Sequence, residues 1–301
     1  MKLSIWPNAS QPWDVIVEEV CGLEGAGWDG VYIADHFIPN VGDDLGPTGE
    51  CVALMAGLAA ATERMRIGSL VFGNTYRHPA VLANQVATVD HISGGRVLLG
   101  LGAGWQESEH TAYGIELPPV KQRLDRFEEA VQIVKGLFAE PRFSFKGDYY
   151  VIDDAPMNPA RADMALLIGG SGEKRTMRIA AQHADEWNAW STPEIMRGKL
   201  DVLRHHCDAL GRDFDDIAVS TQALLFMNDD ESALEGIRRA QLPMPTMIGT
   251  SKQCAEILGE YHALGVDEFI VPDFTFPPPG EARNDLLAQL ASIAAPYRDY
   301  A

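Results

Sequence analysis

Short apolar runs alternate with helix-patterned segments along almost the whole chain. The run at residues 96–102, RVLLGLG, has no polar face, which indicates a strand buried on both sides, as in a parallel sheet. Similar runs predict strands at residues 2–6, 30–34, 65–72, 164–168, 186–190, 217–226 and 267–271. The intervening patterns predict helices at residues 14–27, 50–62, 80–91, 120–138, 173–183, 193–210, 251–264 and 285–294, and a small hairpin at 143–151.

This alternation predicts a single α/β domain over residues 1–301, folded as a (β/α)8 TIM barrel. Such barrels usually take about 250 residues, which leaves room here for insertions. A doubly wound sheet is the rival fold, but its six strands would be used up before the chain ends. The loops at residues 40–49, 107–119 and 272–280 are expected to set substrate specificity.

The charge and the cysteines narrow the possible partners. A formal net charge of -19 repels nucleic acid and anionic lipid at long range, so neither is expected as a partner. No apolar run approaches the roughly 20 residues of a membrane helix, and the first residues lack a signal-peptide pattern, which predicts a cytoplasmic protein. The four cysteines form no C-x-x-C pair, so neither a metal site nor a disulfide framework is expected.

In a barrel, the chemistry lies on loops that follow the C-terminal ends of the strands. Asp35 and His36 follow the second predicted strand and form a plausible acid/base pair, because histidine exchanges protons near neutral pH. The alternative is a rim histidine that only bonds to backbone. The remaining side chains and glycines expected at this rim are Trp6, Gly73, Asn74, Thr75, Ala103, Gly104 and Trp105.

The second informative stretch is GGSGEKRT at residues 169–176. Its glycines, with Gly170, Ser171 and Gly172 at the centre, leave free amides at a helix start, where an anion is favoured. Hydroxyls of Ser171 and Thr176 and the guanidinium of Arg175 would add contacts to a phosphate. It is neither a Walker A loop nor a G-x-S-x-G elbow. The alternative is a bare helix cap.

Taken together, six stretches resemble the luciferase-like monooxygenase superfamily and, within it, the deazaflavin (coenzyme F420)-dependent oxidoreductases. They are GVYIADH at 30–36, NTYRHPAV at 74–81, DHISGGR at 90–96, GLGAGW at 100–105, IGGSGE at 168–173 and ADEW at 184–187. The resemblance implies a bacterial luciferase-like barrel, a homodimer, a small-molecule substrate, and F420 or FMN in the rim pocket.

The resemblance also assigns residues. It implies a cis peptide bond that supports the cofactor ring, here between Leu70 and Val71, and an acid/base role for His36. The positions that match cofactor contacts in the family are Asp35, Ala103, Gly104, Ser108, Gly172, Glu173, Arg175 and Thr176.

One departure from the family pattern concerns the substrate. The sugar-phosphate dehydrogenase branch has a glutamate where this chain has Trp105, and tryptophan cannot exchange a proton. An apolar wall formed by Trp105 and Trp6 therefore favours hydride transfer with a less polar substrate. Three hypotheses stay open: an F420-dependent oxidoreductase, an FMN-dependent monooxygenase that uses reduced flavin and O2, and a non-catalytic binder of deazaflavin or a phosphorylated ligand.

Overall fold

A computed structural model describes residues 1–39, 48–157, 161, 163–240 and 242–298. The strands of the described chain are β1 Lys2–Trp6, β2 Gly30–Ile33, β3 Arg66–Ser69, β4 Phe72–Gly73, β5 Val97–Gly102, β6 Arg142–Lys146, β7 Val151–Pro156, β8 Leu166–Gly169, β9 Glu186–Trp190, β10 Ala218–Gln222, β11 Leu224–Met227, β12 Thr246–Gly249 and β13 Glu268–Pro272. Eight of these strands run parallel and close into a barrel in the order β1-β2-β3-β5-β8-β9-β10-β13, and β13 pairs with β1 to complete the ring.

Helices cover the outside of this barrel, as the predicted (β/α)8 fold requires. They are α1 Trp13–Gly25, α2 Cys51–Ala61, α3 Pro79–Ser93, α4 Glu107–Tyr113, α5 Val120–Ala139, α6 Thr176–His183, α7 Pro193–Leu210, α8 Glu231–Arg239, α9 Ser251–Ala263 and α10 Glu281–Ala294. The (β/α)8 prediction is confirmed, whereas the treatment of residues 1–301 as one domain stays a prediction.

Most of the core lies between the barrel and its helices, and a second apolar cluster fills the barrel itself. The outer core takes one set of alternate strand residues, such as Ile5 and Val31, together with the buried faces of the helices. The inner cluster takes the other set and includes Trp6, Tyr32 and Leu70. Every residue of β5 is buried, which explains why its sequence shows no polar face.

The barrel interior is polar at the end where the strands begin. The guanidinium of Arg66 pairs with the carboxylates of Glu186 and Glu268, and the Tyr32 hydroxyl also donates to Glu268 at 2.9 Å. Such pairing is required because an isolated charge is costly to bury. The paired charges of Arg66, Glu186 and Glu268 therefore lie at the N-terminal ends of the strands, whereas aromatic side chains such as Trp6 lie towards the C-terminal ends.

Three predictions of local structure were wrong, and one helix was missed. The strand expected at 65–72 is interrupted by a cis peptide bond between Leu70 and Val71, after which β4 begins. The strand expected at 217–226 is two strands, and only β10 belongs to the barrel, because β11 pairs with β12 in a separate parallel sheet. The loop expected at 107–119 contains α4, and α8 was not predicted at all. Of the predicted specificity loop at 40–49, residues 40–47 lie outside the described residues.

Candidate active site

The barrel mouth brings the chemistry-bearing residues of several strands together. Trp6, the last residue of β1, packs against Trp190 at the end of β9, with 5.6 Å between ring centroids. The Phe274 ring meets Trp6 edge-on at 5.1 Å. The mouth therefore has an aromatic wall on this side, against which the apolar part of a bound molecule can pack.

His36 lies at the mouth just beyond β2, with its side chain 16% exposed. Its Nδ1 lies 3.1 Å from a carboxylate oxygen of Glu109, which is completely buried. An ionised carboxylate only accepts hydrogen bonds, so Nδ1 carries the proton and donates it. The described residues offer no hydrogen-bond partner to Nε2. This nitrogen is therefore available to exchange a proton with a bound molecule.

Glu109 is held as an anion by its other partners. One oxygen accepts the backbone amides of Phe37 at 2.7 Å and Ile38 at 2.9 Å, and the other accepts the Tyr76 hydroxyl and His36. Burial is the largest influence and acts to raise the Glu109 pKa, but these hydrogen bonds together lower the pKa below its ordinary value. The carboxylate is thus a fixed negative group behind the imidazole.

A second layer of side chains holds Tyr76 in place. The Tyr76 ring stacks on the His110 ring at 4.9 Å, and burial together with Glu109 raises the Tyr76 pKa. His110 Nδ1 lies 2.7 Å from the carbonyl of Gln106, so Nδ1 is the donor, and Nε2 accepts the Thr75 hydroxyl at 2.8 Å. His110 is therefore a packing and positioning group with both nitrogens engaged.

Trp105 is the most exposed aromatic group at the mouth, at 66%. Its ring meets the His36 ring edge-on at 5.7 Å. Gly104, which precedes it, has a φ of +83°, and a Cβ there would collide with the Thr75 hydroxyl. Ala103 and Gly104 are half-buried beside this indole, and Ser108 is exposed in the first turn of α4.

Asp35 is engaged by protein groups. Its carboxylate accepts the forked guanidinium of Arg77 at 2.7 and 2.9 Å and the amide of Gly73 at 3.0 Å. Burial raises the Asp35 pKa, and the Arg77 and Gly73 bonds oppose this increase. The predicted cofactor contact of Asp35 stays a prediction, and its observed bonds tie the loop after β2 to β4.

The glycine turn at residues 169–176 leads into α6. Gly170 has a φ of +135°, and the amides of Ser171 and Gly172 have no partner among the described residues. Two of the predicted cofactor contacts bond to neighbouring helices: Arg175, expected to contact a phosphate, bonds to Asp125 and Glu128 on α5, and Glu173 bonds to Lys199 on α7. The backbone amides and the hydroxyls of Ser171 and Thr176 are therefore the groups that this turn leaves available to an anion, and their contact with a phosphate stays a prediction.

Val71, after the cis peptide bond, lies in a cradle of glycines. A Cβ at Gly102 or Gly169 would meet Val71 methyl carbons at 2.7 and 2.8 Å. The absence of side chains at these two positions lets the Val71 side chain lie close to the ends of β5 and β8. The cis bond thus occurs where the resemblance implied it.

Glu109 is the functional residue that sequence reasoning missed. No spacing in the sequence identifies it, because its partner His36 lies 73 positions away and the two side chains meet only in the folded barrel. The polar composition of residues 106–110 concealed it, because α4 is short and has no apolar stripe. Within the described ranges, no group of three or more His, Cys, Asp or Glu side chains is arranged to hold a metal ion.

His36, the aromatic wall and the glycine turn all lie at the C-terminal end of the barrel, which is where (β/α)8 enzymes place their active sites. The family model for luciferase-like monooxygenases matches residues 1–246. The chain belongs to this family, which confirms the resemblance. No helix in the described part of the chain is long and apolar enough to cross a membrane.

Several relatives support this membership. The chain is 32% identical over 238 residues to an F420-dependent glucose-6-phosphate dehydrogenase of Microbacterium testaceum, covering 77% of this chain and 68% of the relative. It is also 32% identical over 200 residues to the pyrimidine monooxygenase RutA of Acinetobacter baylyi, covering 64% and 52% of the two chains. An F420-dependent secondary alcohol dehydrogenase, solved with an F420-acetone adduct, shares the fold at a TM-score of 0.85, with 20% identity and 99% of both chains covered.

Proposed function

We propose that this protein is an F420-dependent oxidoreductase that transfers a hydride between the cofactor and a small organic substrate. The single observation that carries the proposal is the His36 imidazole, whose Nδ1 donates to buried Glu109 while Nε2 is free at the mouth. The similarity to F420-dependent glucose-6-phosphate dehydrogenases supports the choice of cofactor.

The residues present fit a deazaflavin with an anionic side chain. The free amides of Ser171 and Gly172 and the hydroxyl of Thr176 would hold a phosphate at the start of α6. Ala103, Gly104 and the backbone at Val71 would border the ring, where glycines leave room for close approach. When bound, the deazaflavin supplies the hydride acceptor or donor, and the redox chemistry is its own.

The protein's part is to position the substrate and handle its proton. His36 Nε2 accepts the proton of a substrate hydroxyl during oxidation or returns it during reduction. Glu109 is a positioning residue that fixes the tautomer and stabilises the imidazolium cation. Trp105 and Trp6 would give the substrate an apolar surface on their side of the mouth.

A turnover assay with the His36→Ala variant tests this assignment. Oxidised F420 is mixed with a panel of alcohols and sugar phosphates, and reduction of the cofactor is followed optically. We expect turnover by the wild type with at least one substrate and a loss of about 100-fold or more in the variant. Equal turnover by both proteins would refute the role of His36, and cofactor binding without turnover on a broad panel would favour the non-catalytic binder.

An FMN-dependent monooxygenase is the second candidate, because the chain is also 32% identical to a pyrimidine monooxygenase. It would use reduced flavin and O2 in the same pocket. A preference for FMN over F420 in binding would favour it.

We also propose that the chain forms a homodimer through α2 and α3, which pack against each other. Every exposed residue of α2 is uncharged. No Asp, Glu, Lys or Arg is exposed on α3, whose exposed residues are Val81, Asn84, Thr88, His91 and Ile92. On a chain with a net charge of -19, such a face suits a second copy of itself.

A further inference from the structure

Gln222, the last residue of β10, has a buried amide that the site described above does not use. Its residue is 2% exposed, and its Oε1 has no hydrogen-bond partner among the described residues. Buried polar side chains almost always have a partner, because an unpaired one loses its bonds to water without replacement. The amide oxygen therefore needs a donor that the described protein does not supply.

The strand geometry directs this amide into the barrel. Ser220, two residues earlier on the same face of β10, bonds to Asn188 across the barrel strands at 3.0 Å. Gln222 is in register with Trp190 on one side and with Ile270 on the other. Ile270 belongs to the cluster inside the barrel, together with Trp6 and Leu70. Gln222 thus lies in the interior layer next to the mouth.

The surroundings of the amide are aromatic. Trp190 contacts Trp6, which in turn contacts Phe274, and Trp190 and Phe274 are only partly buried. Near the mouth, the described barrel interior therefore combines an apolar surface with the unpaired amide of Gln222. The charged pairs of the interior lie at the opposite, N-terminal end of the barrel, around Arg66. In an otherwise apolar pocket, a small number of polar groups fixes the orientation of a bound ligand.

We propose that Gln222 orients the substrate: on binding, its Oε1 accepts the hydroxyl hydrogen of an uncharged organic substrate whose apolar body packs on Trp6, Trp190 and Phe274. The hydroxyl then turns this hydrogen to His36 Nε2 when the proton is transferred. The proposal rests on the proposed oxidoreductase function and names its substrate class, an uncharged alcohol. The amide NH2 donates to the carbonyl of the oxidised form, so one side chain recognises both members of the redox pair. A sugar phosphate, whose charge finds no unpaired cation among the described residues of this layer, is rejected.

The test compares Gln222→Met, which keeps the length but not the hydrogen bonds, with Gln132→Met on the outer face of α5 as the matched control. Binding of 2-butanol, cyclohexanol and benzyl alcohol is measured by tryptophan fluorescence and ligand-observed NMR, with and without oxidised F420. Cyclohexyl methyl ether, which lacks the hydroxyl hydrogen, is the ligand control. Thermal unfolding of all three proteins is recorded in parallel.

We expect Gln222→Met to weaken alcohol binding about tenfold, which corresponds to about 1.4 kcal/mol. Ether binding should be the same in both proteins, and the Tm of Gln222→Met should equal or exceed that of the wild type, because an unpaired amide is removed. Gln132→Met should match the wild type throughout.

Three results would overturn the proposal. The first is unchanged alcohol binding in Gln222→Met, as when an internal water satisfies the amide. The second is a Tm lowered by several degrees together with lost binding, which marks a structural role, and the third is no binding of any alcohol by the wild type with or without oxidised F420. These outcomes are independent of the cofactor assignment, since binding is read without turnover. Alcohol binding through Gln222 in a protein inactive with F420 would refute the proposed function and, with it, the alcohol's role as substrate. Activity with F420 in a protein whose alcohol binding does not depend on Gln222 would overturn only this proposal.

Discussion

Replacing Glu109 by Gln isolates the contribution of its charge. The side chain keeps its shape, and its remaining oxygen can still accept the amides of Phe37 and Ile38. The new NH2 group must face the Nδ1 of His36 and the Tyr76 hydroxyl, both of which donate to the carboxylate in the wild type. The Nδ1–H of His36 and the Tyr76 hydroxyl would then both point at the NH2 group, which cannot accept a hydrogen bond. The His36 proton must therefore move to Nε2, so that Nδ1 accepts from the NH2 group.

The magnitude follows from these bonds. A hydrogen bond to a charged group contributes about 1.5–3 kcal/mol, so we expect the free energy of unfolding to fall by about that amount. A histidine with its proton on Nε2 cannot accept the substrate proton there. Since positioned acid/base groups supply about 10²–10⁴-fold of a rate, kcat should fall within that range while KM changes little.

The assay combines turnover with the NMR signature of the tautomer. The ¹H–¹⁵N correlations of the His36 ring nitrogens should show Nδ1–H in the wild type and Nε2–H in Glu109→Gln. Glu107→Gln, an exposed neighbour on α4, is the matched control and should behave as the wild type does. A variant that keeps Nδ1–H and the wild-type pH profile would refute the positioning role, even if its stability fell.

The remaining predictions concern stability and assembly. Gly104→Ala should destabilise the fold by about 1–3 kcal/mol in urea unfolding, because φ is +83° there and the new Cβ meets Thr75; an unchanged midpoint would contradict this. Because folding lowers the Glu109 pKa, its carboxylate stabilises the protein fully above its unfolded pKa of about 4.5 and less as the pH falls through the folded pKa. The stability difference between the wild type and Glu109→Gln should therefore shrink from pH 7 to pH 3.5, and a constant difference would contradict it. Ile92→Glu should shift the mass measured by light scattering from dimer to monomer, with Arg178→Glu on α6 as the control; a wild-type monomer would refute the proposed interface.

The fold could be predicted from the sequence because the barrel strands are buried on both faces and read as apolar runs. β1 and β9 were predicted with the bounds observed. The prediction failed where pairing rather than composition decides: the apolar run at 217–226 continues past β10, but Leu224–Met227 leaves the barrel to pair with Thr246–Gly249. No local pattern separates these two fates, because residues 218–227, AVSTQALLFM, contain no Gly, Pro, Asn or Asp that would mark a turn between the two strands.

Individual residues of the site were predicted, but the contacts between them were not. His36, Trp105 and the glycine turn follow from strand ends, which sequence periodicity locates. The partner of His36 comes from a residue 73 positions away, and Arg175 points to α5 instead of the turn, so both depend on tertiary packing. A sequence shows which groups are available at a rim but not which of them pair.

Cofactor binding is the most direct test of the central claim. The purified protein is titrated with oxidised F420 and, separately, with FMN, and tryptophan fluorescence is recorded, since Trp105 is 66% exposed beside His36. A Trp105→Phe variant identifies the signal that comes from the mouth. We predict that F420 quenches this signal with a micromolar Kd and that FMN at equal concentration does not. Tighter binding of FMN than of F420 would contradict the account.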